Sequence, residues 1–167
     1  MLHKILPFKS SAKFFIILFF ITSNALGQYQ IGHTTINFVD PSRNDRSIET
    51  EVYYPADMAG DDVALALLGG QFPVLTFGHG FLMGFAAYEN IWTAMVPEGF
   101  IMAFPTTEGG LLPSHAEFGL DLNFVGEQLA NLGSEPTSIF YNRVSSLNAV
   151  MGHSMGGGAA FLAAQSS

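Results

Sequence analysis

The segment Gly152-His153-Ser154-Met155-Gly156 leaves this chain few ways to fold. Ser146-Leu-Asn-Ala-Val-Met151 before it is a short, mostly apolar run of strand length. Gly157-Gly-Ala-Ala-Phe-Leu-Ala-Ala164 after it is small and apolar, suited to a helix packed tightly on that strand. A serine at the tip of a turn between a parallel strand and a helix is a nucleophile elbow: its backbone is strained and its hydroxyl stands in the open. Gly152 and Gly156 lie two residues either side of Ser154, where a side chain would collide across the bend. The helix begins at the serine, so its unpaired N–H groups point to where negative charge would develop. The expected strand is buried and parallel, and the expected fold is α/β.

A second motif follows another apolar run. Phe72-Pro-Val-Leu-Thr-Phe77 reads as a buried strand and leads directly into Gly78-His79-Gly80-Phe81. Acyl transfer through a serine passes through a tetrahedral oxyanion that needs two preorganised N–H donors. In this fold type one is the residue after the nucleophile, here Met155. The other comes from the loop after the third strand, which here starts at Gly78. Glycines let that backbone approach a substrate carbonyl, so Phe81 is the expected second donor, its ring available to line an acyl pocket.

Around these motifs the pattern is strand–helix alternation behind an antiparallel start. Gln30–Val39 and Ile48–Tyr54 alternate in part and are rich in Ile, Val, Thr and Tyr; Asp40-Pro-Ser-Arg-Asn-Asp45 between them is a cluster of turn formers. A loop is expected from Pro55 to Gly70, with one helical turn around Val63–Leu68. A helix is expected over Ala86–Pro97, a strand over Gly99–Phe104 and a loop over Glu108–Pro113. Helix is expected again over His115–Leu132, where Phe118, Leu122, Val125 and Leu129 make a core-facing stripe. Another loop, Gly133–Asn142, leads into the elbow strand. The whole predicts an α/β sheet.

The first 27 residues read differently. Lys4, Lys9 and Lys13 precede the eight-residue apolar run Phe14–Ile21, and small residues stand at Ala25 and Gly27. That is the layout of a secretory signal peptide with cleavage after Gly27; eight apolar residues fall well short of the roughly 20 that span a bilayer. The expected location is secreted or periplasmic, with no stable membrane anchor. Past the leader, three arginines stand against fourteen acidic residues, a net charge of −11. Such a surface repels nucleic acid and anionic headgroups, so neither is an expected partner. Cysteine is absent, which removes disulfides and cysteine-based metal or redox sites. His115, Glu117 and Asp121 fit no standard ligand spacing, so a solvated helix start is expected there and no metal.

Four stretches together carry a resemblance: Tyr53-Tyr54-Pro55, Phe72–Phe81, Glu98-Gly-Phe-Ile-Met-Ala-Phe-Pro105 and Val150–Gly158. In this order, across roughly residues 46–165, the chain resembles the N-terminal half of an α/β-hydrolase. It is most similar to the secreted ester hydrolases grouped with chlorophyllases, dienelactone-hydrolase-like proteins and polyester hydrolases of the cutinase and PET-hydrolase type. The resemblance implies a serine carboxylic-ester hydrolase with Ser154 as nucleophile, Phe81 and Met155 as oxyanion donors, no cofactor, and a small-molecule or polymeric ester as substrate. Gly78, His79, Gly80, Gly152, His153 and Gly156 would shape its motifs. Acyl transfer or peptide hydrolysis on the same machinery, and a non-catalytic binding module on the same fold, are the alternatives.

The triad order of this fold is Ser, then Asp or Glu, then His. None of the thirteen residues after Ser154 is acidic or histidine. His33, His79, His115 and His153 all precede the serine, and His153 should point away from it at the bend. The expectation is therefore one incomplete domain over residues 28–167, truncated after the nucleophile helix, with the apolar 146–151 strand left as an unpaired edge, inactive alone and prone to aggregate.

Overall fold

A computed structural model describes residues 29–165, so the leader reading lies outside the described residues. The first pair of strands is the predicted hairpin, β1 (Gln30–Asp40) and β2 (Arg46–Ala56), paired antiparallel from Gln30↔Ala56 to Asp40↔Arg46. Its turn is built by Asp40, whose carboxylate accepts from the Ser42 amide (2.9 Å) and from Arg43 Nε (2.6 Å). Asn44 and Asp45 then take left-handed conformations, which Asn and Asp tolerate better than most residues. The remaining strands are β3 (Gly60–Asp61), β4 (Phe72–Gly78), β5 (Ile101–Pro105) and β6 (Val144–Gly152). Together they form one six-stranded sheet in the order β3-β1-β2-β5-β4-β6. β4 pairs parallel with both β5 and β6, β1 parallel with β3, and β5 antiparallel with β2.

Helices cover both faces of the sheet. α2 (His115–Leu132) and α3 (Met155–Gln165) lie on one face, α1 (Glu89–Met95) on the other. β5 shows why its sequence is apolar throughout. Ile101 and Ala103 join Val125 and Leu129 of α2, while Met102 and Phe104 join Trp92 of α1. A strand buried on both faces cannot alternate with polar residues. On the α1 side Tyr53 stacks on Trp92 (ring centroids 4.3 Å apart, planes within 3°). α2 starts where Ser114 caps it by accepting from the Glu117 amide (3.2 Å). Its stripe Phe118, Leu122, Val125 and Leu129 is fully buried, stabilising the fold by about 1.5–3 kcal/mol for each side chain.

The sheet departs from the sequence expectations in three places. Val63–Leu68 forms no helical turn. Its backbone is taken up by β2 instead: the Ala66 amide donates to the Pro55 carbonyl (2.9 Å), Tyr54 Oη donates to the Val63 carbonyl (2.8 Å), and Leu65 bridges to Ala56. The helix expected over Ala86–Pro97 is α-helical only from Glu89 to Met95, flanked by 3-10 turns at Phe85–Tyr88 and Val96–Glu98. Tyr88 breaks the α geometry (φ −112°, ψ 20°), and Gly99 ends the second turn at φ +96°, so β5 starts at Ile101 rather than Gly99. Finally, β6 is not buried. It lies at the sheet edge, with residues 146–149 exposed.

β6 also carries an irregularity. Phe72 pairs with Val144, and the next pairing is Val74 with Asn148, so two steps on β4 face four on β6. Two extra residues are taken up in that bulge. Beyond it the register is regular to the ends of both strands, Gly78↔Gly152.

Candidate active site

The register Gly78↔Gly152 sets two distant motifs side by side. Gly80 lies 74 residues before Ser154 in the chain, yet the two loops leave the sheet from neighbouring, level strand ends. The amide of His153 donates to the Gly78 carbonyl (3.0 Å), continuing the ladder one step into the turn. Ser154 then takes φ +53°, a left-handed conformation unusual for a residue with a Cβ, and is exposed. α3 begins at the next residue.

Glycine is required here by crowding. A methyl group on Gly156 would overlap the carbonyls of Gly78 and His79, and one on Gly152 would overlap the backbone of Gly156. The first turn of α3 therefore sits directly on the end of β4. Deeper in, a methyl on Gly119 would meet the Ala159 carbonyl, so α2 and α3 are also closely packed.

His79 is buried and keeps its ring inside the protein. Nδ1 faces the Gly80 carbonyl (2.9 Å) and Nε2 the Thr107 carbonyl (2.8 Å), with the ring against Phe118 (4.7 Å between centroids). It thus links the loop after β4 to the loop after β5. Phe81 is half exposed at the same end of the sheet. Among the described residues, neither the Phe81 nor the Met155 N–H has a backbone acceptor outside regular helix and strand pairing. Phe81 thus stands in the loop after β4, while Met155 opens α3 just beyond the neighbouring end of β6.

His153 is committed to another partner. Its Nδ1 lies 3.1 Å from Tyr88 Oη, and that oxygen accepts from the Gly80 amide (2.7 Å). Tyr88 thereby ties the elbow to the glycine loop. Sequence reasoning missed it, because one aromatic in a helical stretch carries no mark beyond core packing.

The remaining histidines make no described hydrogen bond to Ser154. His33 is held between Asp61 (2.8 Å) and Glu51 (2.6 Å), and His115 stands exposed beside Gly158. Burial pulls the His33 pKa down, but hydrogen bonds and charge from the two carboxylates outweigh it and raise the net value.

The start of α2 is not the solvated one expected. His115 is exposed, but Asp121 is completely buried. Arg46 reaches it through Nε (2.8 Å) and Nη2 (2.7 Å), Arg43 through Nη1 (2.7 Å), and Thr107 donates its hydroxyl to it (2.6 Å). Glu117 pairs with Arg43 and Glu108 with Arg46. Hydrogen bonds to Asp121 raise the Arg46 pKa above the ordinary arginine value. The sequence did hold a signal for this cluster: Arg43 and Arg46 are two of the three lysines and arginines after residue 27.

No family model matches the chain, and no curated protein matches it. Among solved structures it is similar to a ferulic acid esterase from Streptomyces cinnamoneus, with a TM-score of 0.63 and 16% sequence identity. The match covers 84% of this chain and 56% of that one, so the chain spans little more than half the length of the esterase. The likeness bears on fold: a mixed α/β, α/β-hydrolase-type sheet with an antiparallel hairpin at its start.

Proposed function

We propose that this chain carries the nucleophile half of a serine carboxylic-ester hydrolase. The observation that supports the reading most is the juxtaposition at the ends of β4 and β6: an exposed Ser154 at φ +53° beside the Gly78–Phe81 loop. Ser154 Oγ attacks the ester carbonyl and loses its proton to a base, forming the tetrahedral oxyanion. The N–H groups of Phe81 and Met155 hold that oxygen. Collapse breaks the bond to the leaving alcohol, which takes up the proton and leaves an acyl group on Ser154; water then releases the acid. The base and its carboxylate partner are assigned to residues other than those described, since His33, His79 and His153 each bind other groups and His115 makes no described hydrogen bond to Ser154 or to a carboxylate. Export belongs to the same proposal and rests on the lysines and apolar run of residues 1–27.

The test is Ser154→Ala in the protein expressed from its complete reading frame, assayed on p-nitrophenyl acetate. Turnover should fall at least about 1000-fold. Hydrolysis at the unmutated rate would remove Ser154 from the chemistry.

A further inference from the structure

The loop that carries Phe81 is held by contacts that start at the far hairpin. The turn between β1 and β2 presents Arg43 and Arg46 to Asp121 on α2, with Arg46 gripping both carboxylate oxygens. The Thr107 hydroxyl donates to the same carboxylate, and the Thr107 carbonyl faces His79 Nε2. His79 Nδ1 faces the Gly80 carbonyl, which also accepts from the Met83 amide (3.0 Å). Of the two carbonyls the ring faces, a single ring N–H bonds one and the other is held by contact. The Gly80 carbonyl and the Phe81 N–H belong to one planar, trans peptide. Whatever fixes the direction of one fixes the direction of the other.

Stability alone accounts poorly for such a cluster. Burying an aspartate under two guanidinium groups costs desolvation that well-packed apolar residues avoid, and replacing such clusters by apolar groups is often stabilising. One nitrogen of this cluster, Arg43 Nη2, is buried without a hydrogen-bond partner. What an ionic cluster offers that an apolar one does not is direction.

We propose that Thr107 and Asp121 are positioning residues: acting through His79, they set the orientation of the Gly80–Phe81 peptide and so the aim of the Phe81 N–H. The catalytic consequence rests on the serine-hydrolase reading above; the orientation of the peptide does not. A misaimed donor stabilises the oxyanion less while leaving substrate binding nearly unchanged, so the loss belongs in kcat.

The experiment uses the protein from its complete reading frame. Thr107→Val removes the hydroxyl and keeps the shape; Thr107→Ser keeps the hydroxyl. At a temperature where the variants are fully folded by circular dichroism, Thr107→Val should lower kcat about 10-fold with KM within about twofold, and Thr107→Ser should restore kcat. The Phe81 amide resonance should move in Thr107→Val and stay near its original position in Thr107→Ser. An unmoved Phe81 amide in Thr107→Val overturns the proposal, as does a kcat loss no larger than the loss of folded protein. Should Thr107→Val fail to fold, Arg46→Lys, which keeps the charge and loses the two-pronged grip on Asp121, is read in the same way. If Ser154→Ala retains activity, the hydrolase reading falls, and the Phe81 amide alone decides the positioning claim.

Discussion

Ser154 stands where it does because of neighbours that lack side chains. The left-handed serine is strained, and such strain persists only where the surroundings fix it. Here Gly156 lets the first turn of α3 sit on the carbonyls of Gly78 and His79. Gly156→Ala should therefore destabilise the protein by about 1–3 kcal/mol through overpacking, read as a lower urea midpoint. Gly110→Ala, where an added methyl would meet nothing, should leave the midpoint in place. The glycine–serine pattern made this part of the site legible in advance, since only a sharp bend requires those residues at that spacing. Tyr88 and Thr107 were not legible. Each acts through contacts fixed by tertiary packing, and a lone tyrosine or threonine has no local signature of such a role.

Elements whose periodicity answers to one buried face were readable, and elements held by specific side chains were less so. α2 spans the residues its stripe predicts, and the hairpin turns where its Asp and Asn cluster does. The stretch after β2 defied its helical pattern because β2 offered its carbonyls a better partner. β3, two residues long, is tied to the hairpin in part by His33, which bridges Asp61 and Glu51. Its pKa is raised in the folded protein. The stability it contributes is thus complete below the unfolded value of about 6.5 and is lost as pH rises through the higher folded value. Between pH 6 and pH 8 the thermal midpoint should fall slightly, by an amount worth under about 1 kcal/mol because Asp61 is exposed. His33→Gln should flatten that slope; an equal slope in the variant would assign it to other groups.

At the scale of the whole molecule, the described residues leave an edge at each end of the sheet. At one end the two-residue β3 pairs with only Gly32 and His33 of β1. β6 at the other end is exposed on its central residues, with Leu147 at 71% of full exposure and Phe161 of α3 at 66%. A long edge strand beside apolar side chains invites pairing with other chains. Residues 28–167 produced alone should lack esterase activity and self-associate in light scattering, and Leu147→Lys with Phe161→Lys should reduce that association. Robust ester hydrolysis by this piece, abolished by Ser154→Ala, would mean that a described residue serves as base after all. The meeting of the two glycine motifs was implicit in the sequence, because both follow strands of one α/β sheet and the two motifs supply complementary parts of one site. The edge position of β6 was legible too, as the strand expected to be left unpaired, although the apolar run taken by itself reads as a buried strand.

The bulge in β6 acts as a vernier between the two halves of the site. Side chains along a strand alternate faces with a period of two, so two extra residues shift the strand lengthwise and leave its phase unchanged. The glycine loop and the serine turn can thus end level while Val150 and Met151 keep to their own sides of the sheet. Removing one of the two would leave an odd excess, and one flank of the bulge would have to present the wrong faces. Removing both would leave two steps on each strand between the flanking pairs, so the ladder would run regularly and the serine would stay level with its partner loop.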